Sequence, residues 1–252
     1  MIKAKQWWKD YEGTFSETSD KAVKGVDFVF ICAGKDYDLR SVVYGDDGVL
    51  AGIKLGAILF YHTTVSANVA REIGEKAAVK FLDAPVSGGQ AEAENGILTV
   101  IVGSDKVAFD QIKSVIMNYA CAVELLGYVG SGQLTKMVNQ ICIASLVQGL
   151  AEGLNFAKKS GLDCVKVVDA ISKGSAESWQ IENRGKMILK DEFEYGFVVN
   201  WMGKDLSIRI ERKWKNGARI DVTRIVNDYY GEIQEMAGRR CDTSSLFKRL
   251  TR

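Results

Sequence analysis

The sequence predicts an α/β domain followed by an all-helical domain, and three observations carry that prediction. Through the first half, apolar runs of strand length alternate with stretches of helical spacing. From Gln133 to Lys159 a single helical pattern runs without a break. Beyond residue 160 the apolar period stays helical and no convincing strand appears. The predicted division is 1–130 for the α/β part and 131–252 for the helical part, with the long helix as the spine of the second.

The strands are read from VDFVFICA (26–33), GAILFYHT (56–63), KFLDAPV (80–86), LTVIVGS (98–104) and AVELLG (122–127), all rich in β-branched or aromatic residues. SANVAREIGEKAA (66–78) and KVAFDQIKSVIMNYA (106–120) carry helical spacing between them. Buried strands alternating with helices indicate a largely parallel sheet covered on both faces. Asp20, Ser66 and Asp105 are expected as helix N-caps, and Gly56 and Gly127 as breaks. Apolar residues cover much of the long helix's circumference, which predicts that it is largely buried. Gly161 should end it as a left-handed cap.

Composition excludes several functions. The 252 residues carry 33 Lys and Arg against 32 Asp and Glu, a net charge of +1. That balance argues against nucleic acid or an anionic membrane as the main partner. No apolar run approaches the ~18 residues of a membrane span, and MIKAKQWWKD lacks the apolar core of a signal peptide. A soluble, cytoplasmic protein is expected. Five cysteines lie far apart with no C-x-x-C pair, the usage of a reducing compartment without a zinc ribbon. His62 is the single histidine, so no metal site built on two histidines can form, and no metal is expected. Ser–His–Asp chemistry would have to run through His62, inside AILFYHTT and without a G-x-S-x-G elbow. It reads instead as a strand-end histidine satisfied by hydrogen bonds. Residues 203–252 hold 12 basic and 7 acidic side chains, a solvated face.

Two glycine-rich loops stand out. GYVGSG (127–132) follows a strand and opens a helix, but its spacing reverses the phosphate-cradling G-x-G-x-x-G and no acidic strand end follows ~20 residues on. It reads as a backbone-exposing start to a helix. In DAPVSGGQAEAENG (83–96), Ser87, Gly88 and Gly89 offer a hydroxyl and unhindered N–H groups after a strand, a nest suited to a carboxylate or phosphate. The alternative is an ordinary strand-to-helix turn. On the long helix, Lys136, Asn139 and Gln140 stand at i, i+3 and i+4 on one face amid Leu134, Met137, Val138, Ile141, Cys142 and Ile143. A cation on a buried helix needs a partner or a task, and burial brings an amine toward useful proton transfer. The alternative is a lysine snorkelling from the first turn.

The strings DAPVSGG, GYVGSGQLTKMVNQ and WMGKDLSI, in this order, resemble the β-hydroxyacid dehydrogenases, from about residue 20 to the end. That family includes 3-hydroxyisobutyrate dehydrogenase and tartronate semialdehyde reductase. The resemblance implies a Rossmann-type domain, N-terminally truncated here, then an all-helical domain joined to it by the long interdomain helix. It implies oxidation of a small 3-hydroxy acid, or reduction of its semialdehyde, with NAD or NADP, in a homodimer or homotetramer. By position, Lys136 matches the catalytic lysine, a general acid–base on the substrate oxygen. Ser87, Gly88 and Gly89 match the loop that holds the substrate carboxylate, and Asn139 and Gln140 the polar residues that position the substrate beside the lysine. Thr64 matches the contact to the nicotinamide half, Ala33 and Gly34 the loop after the preceding strand, and Lys204 a lysine that the helical domain brings to the cofactor. The adjacent Asn139-Gln140 leans toward the tartronate semialdehyde reductase type.

The sequence also departs from the family. Relatives run through a strand, G-x-G-x-x-G, a helix and a second strand before the level of VDFVF, whereas about 25 residues precede it here. The leader KAKQWWKDYEGTF resembles the helix that would follow that loop, and Tyr61 stands where an acidic residue is common. Two functions are therefore weighed. One is a dehydrogenase whose first βαβ unit lies outside this sequence or whose cofactor site is rebuilt. The other is a catalytically silent homologue that keeps the fold and substrate pocket but binds cofactor weakly.

Overall fold

The computed structural model describes residues 11, 13–210 and 217–251. The proposed leader helix therefore lies outside the described residues at positions 1–10 and 12, as do positions 211–216 and 252 of the basic C-terminal stretch. The chain divides into two compact units, Met1–Lys136 and Met137–Arg252.

The first unit is a Rossmann-type α/β unit. Strands β1 (Phe28–Ile31), β2 (Ile58–Tyr61) and β3 (Lys80–Asp83) are parallel, with Val29, Leu59 and Phe81 in register. A second sheet holds β4 (Val86–Ser87), β5 (Leu98–Val102) and β6 (Ala120–Leu125). The predicted run 80–86 is thus two strands. Pro85 has no N–H to continue a ladder, so the chain turns and β4 pairs antiparallel with β5 while β5 pairs parallel with β6. An antiparallel bridge between Asp83 and Gly103 joins the sheets.

Among the described residues six helices flank them: α1 (Ser19–Ala22), α2 (Asp36–Val43), α3 (Val49–Gly52), α4 (Ala67–Lys76), α5 (Gln90–Glu94) and α6 (Lys106–Ile116). Ser66 caps α4 by accepting from the Val69 N–H, and Asp105 caps α6 by accepting from Ala108 N–H. Asp20 is not the N-cap: it lies inside α1, behind the N-cap Thr18, and its carboxylate takes the Thr18 hydroxyl. Gly56 and Gly127 break the chain with φ of +86° and +138°.

The second unit is helical. Helix α7 (Ser131–Lys159) runs through the division and ends at Gly161, whose φ is +73°. Gly161 and Leu162 donate back to Lys158 and Ala157 carbonyls, closing a Schellman motif. Helices α8 (Cys164–Ile171), α9 (Trp179–Leu189), α10 (Val199–Ile210), α11 (Asp221–Glu235) and α12 (Leu246–Leu250) follow. Val147, Leu154, Met202, Leu206, Tyr230 and Ile233 form their common core. Helix α7 is less buried than its composition predicts: Val138, Leu146 and Phe156 are exposed, because Ala144, Val147, Ala151 and Leu154 fill the core from one face only. Among the described residues, no helix is long and apolar enough to cross a membrane.

Asp242 pins the end of this unit. It is fully buried, accepts from the N–H groups of Phe197 and Ser244 and from the Ser244 hydroxyl, and lies 3.2 Å from Arg184 Nε. The Arg184 guanidinium stacks on Trp179 and Tyr195, 4.8 Å from each ring centroid. Asp242→Ala would leave a nearly buried cation and several donors without an acceptor. It is expected to cost about 3–5 kcal/mol in denaturant unfolding, and a loss below about 1 kcal/mol would contradict this account.

Candidate active site

The centre of the first unit is Asp83, at the C-terminal end of β3 and fully buried. One carboxylate oxygen accepts from the Gly130 N–H at 2.6 Å and the other from the Gln133 N–H at 2.7 Å. These are the free amides at the start of α7, where the helix dipole favours a negative charge. Backbone must come very close for this to work. A Cβ on Gly103 would collide with Asp83 Oδ1, and one on Gly132 would lie 2.6 Å from the carbonyls of Asp83 and Ile101. The glycines of GYVGSG therefore serve an internal carboxylate, in place of a phosphate.

Gln133, fully buried, carries this anchor to the strand ends. Its Nε2 donates to Thr63 O at 2.9 Å and its Oε1 accepts from the Val65 N–H at 3.0 Å. The Thr63 hydroxyl in turn accepts from the Ala33 N–H at 2.7 Å. The loops carrying Thr64 and Ala33-Gly34 are thus tied together at the C-terminal ends of adjacent parallel strands, the edge where a dinucleotide binds in such sheets. The Thr63 hydroxyl and the Gln133 amide thus fix the turn that carries Thr64. The sequence contains no G-x-G-x-x-G string.

Beyond Pro85, Ser87 lies on β4 opposite Thr99. Gly88 has φ +121°, and a Cβ there would press on Leu98 and Glu92 at 2.8 and 2.9 Å, so only glycine fits. The Gly89 N–H donates to Glu92 Oε2 at 2.7 Å, a carboxylate of the chain's own in the predicted anion nest. His62 is engaged at both ring nitrogens: Nδ1 lies 2.6 Å from Ala84 O and Nε2 2.9 Å from the Tyr119 hydroxyl. Burial pushes its pKa down, so the ring is neutral, donating to Ala84 and accepting from Tyr119.

Lys136 is 7% exposed on α7. In the second unit, Gln140 is buried, with Nε2 donating to Asp205 Oδ2 at 2.7 Å and Oε1 accepting from Asn139 Nδ2 at 2.9 Å. Lys204 Nζ lies 3.2 Å from Asp205 Oδ1 and 5.2 Å from the Trp201 ring centroid. The structure so gathers Asn139, Gln140 and Lys204 around Asp205, and Ala33 and Thr64 around Gln133, while Ser87–Gly89 form a separate loop. Asp83, Gln133 and Asp205 are absent from the sequence-derived site. The sequence marks Asp83 only as the carboxylate ending KFLD and Asp205 only as the acid beside Lys204, and neither position names its partner. Among the described residues, no group of three His, Cys, Asp or Glu side chains gathers as for a metal.

Comparison with known proteins defines the family. Residues 2–130 match the family model for the NAD binding domain of 6-phosphogluconate dehydrogenase. Residues 130–250 match that for the NAD-binding region of NADP-dependent 3-hydroxyisobutyrate dehydrogenase. The chain is 54% identical to an uncharacterized oxidoreductase of Shewanella frigidimarina, over 98% of this chain and 86% of that protein. It is 33% identical to the probable 3-hydroxyisobutyrate dehydrogenase-like 1, mitochondrial, of Arabidopsis thaliana, over 96% of this chain and 74% of that one. The fold matches Mycobacterium tuberculosis 3-hydroxyisobutyrate dehydrogenase, solved with L-serine, at a TM-score of 0.84 and 24% identity, covering 94% of this chain and 84% of that one. The chain belongs to the β-hydroxyacid dehydrogenase family, oxidoreductases of the 3-hydroxyisobutyrate dehydrogenase type, with NAD or NADP as the cofactor.

Asp83 makes the first unit sensitive to pH. Desolvation pushes its pKa from an ordinary 3.8 up to about 7, against the pull of the Gly130 and Gln133 amides. Because the folded value is the higher one, the stabilising contribution is full below about pH 4 and is lost as pH rises through about 7. The span corresponds to roughly 4 kcal/mol. The melting temperature is expected to fall between pH 5 and 8.5, and Asp83→Asn, which cannot ionise, to flatten that slope. Parallel slopes for the two proteins would contradict the assignment.

Proposed function

We propose that this chain oxidises a small 3-hydroxy acid, or reduces the matching semialdehyde, with NAD(P), and that Lys136 is its general acid–base catalyst. The observation that carries the reading is the burial of Lys136 beside Gln133, Met137 and Gln140 on α7. A cation is taken that far from water only where it is paired or put to use. Residues 1–130 form the cofactor domain in this reading and 131–252 the helical domain.

The cofactor supplies the hydride donor or acceptor. The protein's part is to hold the substrate and to move one proton. Lys136 takes the proton of the substrate hydroxyl in oxidation and returns it to the developing alkoxide in reduction. Ser87, Gly88 and Gly89 bind the substrate carboxylate through hydroxyl and backbone N–H groups, with Glu92 leaving Gly89 as the substrate enters. Asn139 orients the substrate, and Gln140, held by Asp205, fixes Asn139. Ala33, Gly34 and Thr64 face the nicotinamide half, and Lys204 answers the cofactor's negative charge. L-serine, with which the Mycobacterium tuberculosis 3-hydroxyisobutyrate dehydrogenase was solved, carries the same carboxylate and 3-hydroxyl, and Asn139-Gln140 favours a tartronate semialdehyde-type substrate.

A second reading is a catalytically silent homologue that binds cofactor weakly: the Gly130 and Gln133 amides at the start of α7 already hold Asp83 and are not available to a phosphate. Fluorescence titration separates the two: micromolar NADH or NADPH affinity supports the dehydrogenase, and none at millimolar concentration supports the silent form.

Lys136→Ala is expected to lower kcat by about 10²–10⁴ on folded, cofactor-saturated enzyme. Lys136→Arg is expected to be poor as well, since a guanidinium does not release its proton near neutral pH. An Ala variant within about threefold of the parent would end the catalytic reading. Glu92→Gln removes a negative charge from the carboxylate loop and is expected to lower KM for the acid about two- to fivefold. An unchanged or higher KM would place the substrate carboxylate elsewhere.

A further inference from the structure

Thr64 lies between the two backbone groups that Gln133 holds, the Thr63 carbonyl and the Val65 N–H. One primary amide satisfies both, and a residue that only accepts or only donates cannot. Asparagine has the chemistry but is one methylene short. Gln133 is itself fixed, because its own N–H is bound by Asp83 at the start of α7. On the far side, the Thr63 hydroxyl holds the Ala33 N–H, and Asp36 Oδ1 accepts from the Ser66 N–H at 3.0 Å. The turn after β2 therefore takes its shape from one buried side chain on another element.

We propose that Gln133 is a positioning residue for the cofactor: it sets the turn that presents Thr64, and so sets cofactor affinity. This rests on the reading of Thr64 as a contact of the nicotinamide half. Gln133 acts through Thr64, so its effect belongs to cofactor binding and not to the substrate carboxylate, which Ser87–Gly89 bind on another loop.

The test uses the chain as it exists, with Gln133→Met, Gln133→Glu, Thr64→Ala and the double variant Thr64→Ala/Gln133→Met, each checked for folding by circular dichroism. Gln133→Met keeps the length and loses both hydrogen bonds. Gln133→Glu still accepts from Val65 but opposes the Thr63 carbonyl, and it serves if the Met variant does not fold. Without cofactor, the Val65 amide should exchange with deuterium about tenfold faster in Gln133→Met, while Gly103 N–H, held by Asp83 O, keeps its rate. Kd for NADH or NADPH should rise about tenfold or more, with KM for the hydroxy acid within about twofold. In the Thr64→Ala background the same change should add little, as expected for two residues acting as one.

If Thr64→Ala weakens cofactor binding while Gln133→Met leaves it unchanged, the proposal is overturned and the Thr64 reading survives. If the two changes are additive, Gln133 acts through general stability and the proposal is likewise overturned. If Thr64→Ala leaves cofactor affinity unchanged, or the parent binds no cofactor at millimolar concentration, the underlying functional reading fails and takes the proposal with it.

Discussion

A carboxylate buried at the first turn of a long helix organises the first unit. Asp83 ends a strand, bridges two sheets through Gly103, and accepts the leading amides of α7. Hydrogen bonds to a charged acceptor contribute roughly 1.5–3 kcal/mol each, and burying that charge costs an amount of the same order or more. The two nearly offset each other. What remains is directional: the helix can begin at one place and in one orientation relative to β3.

The site follows from that fixed start. Three residues beyond the first bonded amide, Gln133 reaches back to the turn after β2, and one turn further along the same helix stands Lys136. Helical geometry then fixes Asn139 and Gln140 at one further turn. In the second unit the same logic recurs, with buried Asp205 collecting Gln140 and Lys204. Polar residues in both units are thus held by carboxylates that no solvent competes for. Such arrangements give rigid geometry at the expense of net stability.

Much of this was legible in the sequence. The alternation of short strands and helices, the long helix and its Gly161 terminus all rest on local periodicity and cap chemistry, and they appear where the pattern puts them. The division of 80–86 into two strands was legible in principle, since Pro85 cannot extend a ladder. Asp20 misled because a carboxylate can serve a neighbouring hydroxyl as readily as helix amides. Asp83, Gln133 and Asp205 were not legible: their roles depend on partners 47, 68–70 and 65 residues away in sequence, and no local pattern encodes such a pairing. The residues proposed for the site on α7 could be singled out because they share one helix face, which periodicity does reveal.

The central claim is that the folded chain moves a hydride to or from carbon 3 of a small acid. The most direct measurement incubates it with tartronate semialdehyde and NADH or NADPH deuterated at the transferring carbon of the nicotinamide, and reads the product by mass spectrometry. The account predicts a hydroxy acid carrying one deuterium at carbon 3. Unlabelled product, or no product from folded protein with both cofactors, would contradict it.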